Sequence, residues 1–154
     1  NDIYEIRYYS DRLIVQVANK GDSSSFRKLF NYISGQNKNS EKIAMTIPVT
    51  QTQKDGEMVM QFYLPSKFNK ETTPIPNNPN VKVSIIPEGY FAVLQFSGRS
   101  SDKNFDKHHK ILKQKLLEDN ISIKGSAIRA TYNSPFTLPP LRRNESMFNI
   151  DWKN

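Results

Sequence analysis

One carboxylate, Glu145, closes the proline-stiffened phrase YNSPFTLPPLRRNE (132–145), just after the two fixed cations Arg142 and Arg143. That arrangement supports two chemistries. Either an arginine pairs with Glu145 and pins the loop, or an arginine recognises a ligand carboxylate while Phe136, Leu138 and Leu141 cover the ligand's apolar body. Glu145 is also the carboxylate best suited to acid–base work if burial raises its pKa. Tyr132, Tyr63 and Tyr90 lie on strand-like segments that could line the same cavity. His108 and His109 are adjacent, and a helix turns about 100° per residue, so they cannot both point inward. His109 lies nearer the apolar positions, where it is either a satisfied structural imidazole or a haem-iron ligand. Met45, within KIAMTIPV (42–49), fills a core gap, lines a soft pocket wall or, more remotely, offers a thioether to iron. No HExxH, P-loop, Gly-rich dinucleotide fingerprint or Ser/His/Asp order is found, so zinc, nucleotide and triad chemistries lack their usual groups.

These residues need a scaffold, and the chain spells one out twice. Segments 4–9 and 13–18 alternate β-branched or aromatic residues with polar ones, as half-buried strands do. Gly21 breaks the pattern, and Asp22 or Ser23 caps a helix with Phe26, Leu29, Phe30 and Ile33 on one face. Gly35 stops it, and strands follow at 43–50 and 58–64, turning at Asp55-Gly56. The second half repeats the order with strands at 81–86 and 90–97, joined by a turn at 87–89. Gly98 lies 77 residues beyond Gly21, and Ser100, Ser101 or Asp102 caps a helix with Phe105, Leu112 and Leu116 on its buried stripe. Strands at 127–132 and 146–152 end the pattern. Strand–strand–helix–strand–strand, twice, predicts an α+β fold: a distorted antiparallel β-barrel carrying two helices. The expected organisation is a single domain over 1–154, with pseudo-repeats at about 3–66 and 81–152. The proline-bearing connector 67–80 is read as ordered, and the two halves as sharing one core.

Composition narrows the function. A length of 154 residues suits one domain that buries most of its unfolded surface. Cysteine is absent, which removes disulfides, thiolate metal sites and cysteine nucleophiles. No apolar run approaches the ~18 residues that span a bilayer, so a soluble protein is expected. The first residue is Asn1 rather than Met, which fits prior removal of an upstream targeting segment. The net charge of +7 is scattered along the chain without a nucleic-acid motif, so no nucleic-acid partner is expected. Lys103, Lys107, Lys110, Lys113 and Lys115 make the second helix's outer face either a solvated surface or a contact for an anionic membrane. Asn120 and Asn144 head N-x-S sequons, which matter in a glycosylating secretory pathway.

The phrases YEIRYY (4–9), KIAMTIPV, FYLPS (62–66), FAVLQFSGR (91–99) and YNSPFTLPPLRRNE, in this order and spacing, resemble the SOUL/haem-binding-protein family over nearly the whole chain. The resemblance implies a distorted barrel with two helices and an internal pseudo-repeat, and a carrier or buffer of haem or another porphyrin without catalysis. Carried onto this sequence, the implied ligand surface is Phe26, Arg27, Leu29, Phe30 and Ile33, then Met45, then the loop residues Phe136, Leu138, Leu141, Arg142 and Arg143. Some members have a histidine where this chain has Tyr8, so the haem-iron ligand is expected to be His109 or Tyr8, if the protein supplies one. Burying ~300 Å² of porphyrin at ~25 cal/mol/Å² gives about 7 kcal/mol, which association costs of about 4–15 kcal/mol can consume. Weak haem binding is therefore expected. The layout also resembles the effector-binding domains of gyrase-inhibitor-like proteins. That resemblance implies an alternative small-molecule effector site or hydrolase built on Glu145 and Tyr132 with the other tyrosines. A third reading is a protein-interaction role without a small ligand.

Overall fold

The computed structural model describes residues 3–19, 24–133 and 137–153. The Gly21 break, the Asp22 or Ser23 cap and Phe136 lie outside them. The elements run β1 (Glu5–Tyr9), β2 (Arg12–Ala18), α1 (Ser24–Ile33), β3 (Val49–Lys54), β4 (Glu57–Tyr63) and β5 (Lys82–Ile86). They continue with β6 (Gly89–Phe96), α2 (Asp102–Glu118), β7 (Ser122–Ile123), β8 (Ile128–Thr131) and β9 (Asn144–Asp151). The antiparallel α+β class and its two helices agree with the sequence pattern.

Two compact units form, Asp11–Pro87 and Asn1–Ser10 with Glu88–Asn154. Their membership departs from sequential order at one strand each. β5 pairs with β2 in the first unit, whereas β1 pairs with β6 in the second. Residues 87–89, read from sequence as a turn, therefore connect strands with different partners.

In the α1 unit, β2 lies between β4 and β5, and β4 also pairs with β3. Asp55 and Gly56 have φ of 53° and 83°, the left-handed pair that a tight two-residue hairpin requires. The strand expected over 43–50 begins only at Val49, because Pro48 has no N–H to give a ladder. Helix α1 packs on β2 and β4, burying Ser25, Leu29, Tyr32 and Ile33. The connector is tied to this unit: Tyr32 donates to the Pro74 carbonyl at 2.6 Å, and Asn37 bridges to Pro76.

In the α2 unit, β9 lies between β6 and β8 and also pairs with the short β7, which the sequence pattern did not reveal. Ser101 caps α2 by accepting from the Asn104 amide, and Phe105, Leu112 and Leu116 are buried as their spacing predicts. Each unit has a hydrophobic cluster of its own among the described residues. Val15, Leu29, Ile33 and Phe62 belong to one cluster, and Tyr4, Ala92, Leu112, Leu116 and Phe148 to the other. Each fully buried leucine contributes about 1.5–3 kcal/mol through lost contact with water.

Candidate functional site: an exposed aromatic face and a locked carboxylate

Helix α1 presents the first site. Its four apolar positions were expected to form one stripe, but only Leu29 and Ile33 are buried, at 0% and 5% exposure. Phe26 and Phe30 remain 42% and 46% exposed. Their rings are 6.1 Å apart and nearly parallel, at 14°, and Phe26 also meets the buried Phe62 edge-on at 5.2 Å. Phe62 therefore braces a small aromatic platform whose outer surface faces water. Arg27 is exposed beside it on the same helix. Met45 is 45% exposed, and the Thr46 hydroxyl donates to the Tyr63 carbonyl, which fixes this segment against the end of β4. The cavity lined by Lys28, Asn31, Tyr32 and Val81 holds only about 20 Å³, room for about one water. What α1 offers a flat apolar molecule is an open face.

The second arrangement surrounds Glu145, which β9 places at 0% exposure. Arg7, from β1, grips it with both guanidinium nitrogens, Nη1 to Oε1 at 3.0 Å and Nη2 to Oε2 at 2.8 Å. Arg143 adds Nη2 to Oε2 at 2.8 Å, and the Tyr132 hydroxyl donates to Oε1 at 2.6 Å. Burial alone would raise the Glu145 pKa, but hydrogen bonds from Arg7, Tyr132 and Arg143 outweigh it and hold the carboxyl below its ordinary value. Tyr132 moves the other way, its pKa raised first by burial and then by the bond to Glu145. The alternative reading needed Glu145 with a raised pKa and Tyr132 as its helper. A carboxylate held ionised and a phenol held protonated do not meet that need. The Arg143 guanidinium also lies 4.0 Å over the Tyr132 ring, so it is committed to pinning the loop. Arg7 was not among the residues singled out, although strand alternation puts Glu5, Arg7 and Tyr9 on one face of β1.

The other expected residues lie in the α2 unit but outside this network. Arg142 donates from Nε to Ser100 Oγ at 3.2 Å. Leu138 and Leu141 are 65% and 71% exposed around a short 3-10 turn, Pro139–Leu141. The Tyr8 hydroxyl donates to Glu88 Oε2, and its ring meets Tyr90 at 5.2 Å. His109 Nδ1 is 2.5 Å from Ser146 Oγ, while its ring packs on Phe105 and Phe148. Burial, then the Arg129 charge, pushes the His109 pKa down to about 4. His109 is thus a neutral core imidazole, and Tyr8 is a phenol already bonded to a carboxylate. Tyr63, by contrast, belongs to the α1 unit, where its hydroxyl lies 3.1 Å from Thr50 Oγ1. Among the described residues, no three of His, Asp or Glu gather as a metal site, and no helix is long and apolar enough to cross a membrane.

Residues 1–149 match the family described as SOUL heme-binding protein. The chain belongs to that family. A relative, human Heme-binding protein 2, is 29% identical over 96% of this chain and 77% of its own length. Its mouse counterpart is 28% identical over the same shares. Among solved structures, the EcmrR C-terminal domain superposes with a TM-score of 0.71 at 13% identity, covering 96% of both chains. A hydrolase from Listeria innocua reaches 0.69 at 10% identity, covering 96% of this chain and 91% of its own. At such low identity these structures show a shared fold alone.

Proposed function

We propose that this SOUL-family chain binds haem or a related tetrapyrrole reversibly, without catalysing a reaction on it. The observation that carries the proposal is the Phe26–Phe30 pair. Two large rings in near-parallel contact are left half-exposed on a helix that buries its other apolar residues. Exposing such rings forgoes burial energy, which a flat aromatic guest would restore. Arg27, with Lys28 next to it on α1, is the cation suited to a propionate, and Met45 supplies further apolar surface. Leu29 and Ile33 support the platform from beneath. Arg143 is spent on Glu145, so it adds little propionate pairing. The human relative's name, Heme-binding protein 2, points to the same ligand class. Neither His109 nor Tyr8 is placed as an open axial ligand, so binding rests on stacking and charge and is weak.

Haemin titration followed in the Soret band tests this reading. The expected result is a saturable change that Phe26→Ala with Phe30→Ala weakens roughly tenfold or more, given about 0.5–1.5 kcal/mol for each aromatic contact beyond its area. Tyr8→Phe and His109→Gln should leave the spectrum unchanged. Absence of any saturable change at tens of micromolar haemin would remove the proposal.

A further inference from the structure

Lys103, Lys107, Lys110, Gln114 and Leu117 recur along α2 at i, i+4, i+7, i+11 and i+14, the spacing of a single helical face. All are exposed, and the face lies opposite the buried stripe of Phe105, Leu112 and Leu116. No acid stands on it. The acids of α2 are held elsewhere: Arg129, from β8, pairs with Asp102 at 2.5 Å and Asp106 at 3.8 Å, and Lys115 pairs with Glu118 at 3.4 Å. Among the described residues, Lys103, Lys107 and Lys110 form no ion pair. A helix face that only needs water mixes its signs, because opposite charges three or four residues apart stabilise it. Here the signs are sorted, with anions turned to the sheet and cations turned outward. The strip also ends in apolar groups. Leu117 is 70% exposed and Ile111, beside it on the helix, 37%. Leu117 and Lys113 then line an open groove with Ile121 and Ile123.

We infer that the outer face of α2 docks on an anionic phospholipid surface. Lys103, Lys107 and Lys110, with Lys113 on the flank, meet the headgroup phosphates and carboxylates, while Leu117 and Ile111 dip into the interfacial layer. The joining of cations to exposed aliphatic groups on one strip is what selects a membrane. A soluble polyanion would use the lysines and leave Leu117 in water. The helix keeps its main apolar stripe in the core, so the contact is peripheral and depends on salt. The inference does not depend on haem binding, whose platform lies on α1.

Co-sedimentation of the full chain with vesicles tests this. Phosphatidylcholine vesicles carrying about 30% phosphatidylserine should retain the chain at low salt, and pure phosphatidylcholine should not. Salt at about 1 M, where the Debye length is about 3 Å, should release it. Lys107→Gln with Lys110→Gln should weaken binding roughly tenfold or more. Lys38→Gln with Lys70→Gln, an equal loss of exposed charge in the α1 unit, should weaken it about threefold or less. Leu117→Ser leaves the net charge unchanged and should weaken binding roughly threefold. No retention by the serine-bearing vesicles, equal retention by the neutral ones, or equal losses from the two lysine pairs would each overturn the inference. Unchanged vesicle binding in Leu117→Ser would overturn it too, by reducing the face to a site for polyanions at large.

Discussion

Helix α1 and helix α2 anchor themselves alike, Leu29 and Ile33 on one, Leu112 and Leu116 on the other, all nearly or fully buried. Their outer faces differ in kind. Helix α2 turns Lys103, Lys107, Lys110 and Lys113 to solvent, whereas α1 turns out Phe26 and Phe30 beside Arg27. Lysines solvate a helix at little cost; half-exposed phenylalanines do not. A repeated layout has thus been given two different surfaces, one rich in lysine and one with a stacked aromatic pair. The buried polar centres diverge too. The α1 unit uses a neutral set, in which Thr50 donates to Gln61 Oε1 at 2.8 Å and Gln61 donates to Gln16 at 3.3 Å. The α2 unit uses ions.

That second contrast gives the largest expected effect. Glu145→Ala leaves Arg7 and Arg143 facing one another, with the Tyr132 hydroxyl deprived of its acceptor. The expected loss is about 3–5 kcal/mol in urea or thermal unfolding, as for other buried pairs broken on one side. Thr50→Val in the neutral centre should cost about 1–2 kcal/mol. Equal losses would show that the ionic set holds the fold no more firmly than the neutral one.

The helix contrast comes next. Leu29→Ala should destabilise by about 2–4 kcal/mol, since a fully buried leucine leaves a cavity behind. Phe30→Ala, one residue further along α1, should cost under about 1 kcal/mol, because its ring is already half in water. If Phe30→Ala destabilises as much as Leu29→Ala, the aromatic platform belongs to the core and loses its standing as a ligand face.

Local patterns revealed much of this scaffold. The seven- and four-residue spacing of Phe105, Leu112 and Leu116 located the α2 stripe, Ser101 its cap, and Asp55-Gly56 the hairpin. Long-range choices were hidden. Nothing near YEIRYY says that β1 pairs with β6, or that Arg7 reaches a carboxylate 138 residues away. Alternation shows which residues share a strand face but is silent about the partner strand. The α1 face was half legible. Helical spacing grouped Phe26 and Phe30 with Leu29 and Ile33, and the depth to which each ring sinks depends on packing against β2 and β4. KIAMTIPV read as strand because its alternation outweighed Pro48, and the ladder starts only after that residue.

The smallest effect concerns acid and separates His109 from Glu145. His109, with a folded pKa near 4 against an ordinary 6.5, favours the neutral form in the native state. Above pH 6.5 it is neutral whether folded or not and contributes no pH dependence. Between 6.5 and 4 the unfolded chain takes up a proton that the folded chain resists, so stability falls as pH drops. The loss by pH 4 is on the order of 1–2 kcal/mol after allowing for solvent near a half-buried ring. Glu145, whose folded pKa lies below its ordinary 4.5, adds its own loss only at lower pH. His109→Gln should flatten the decline between pH 6.5 and 4.5 and leave the steeper fall below it. Asp106 opposes the shift while Arg129 and His108 reinforce it, so Arg129→Gln should raise the folded pKa towards 6.5 and make the decline smaller. A decline between pH 6.5 and 4.5 that is unchanged in His109→Gln would transfer the acid sensitivity to other groups and leave burial without its expected consequence at this ring.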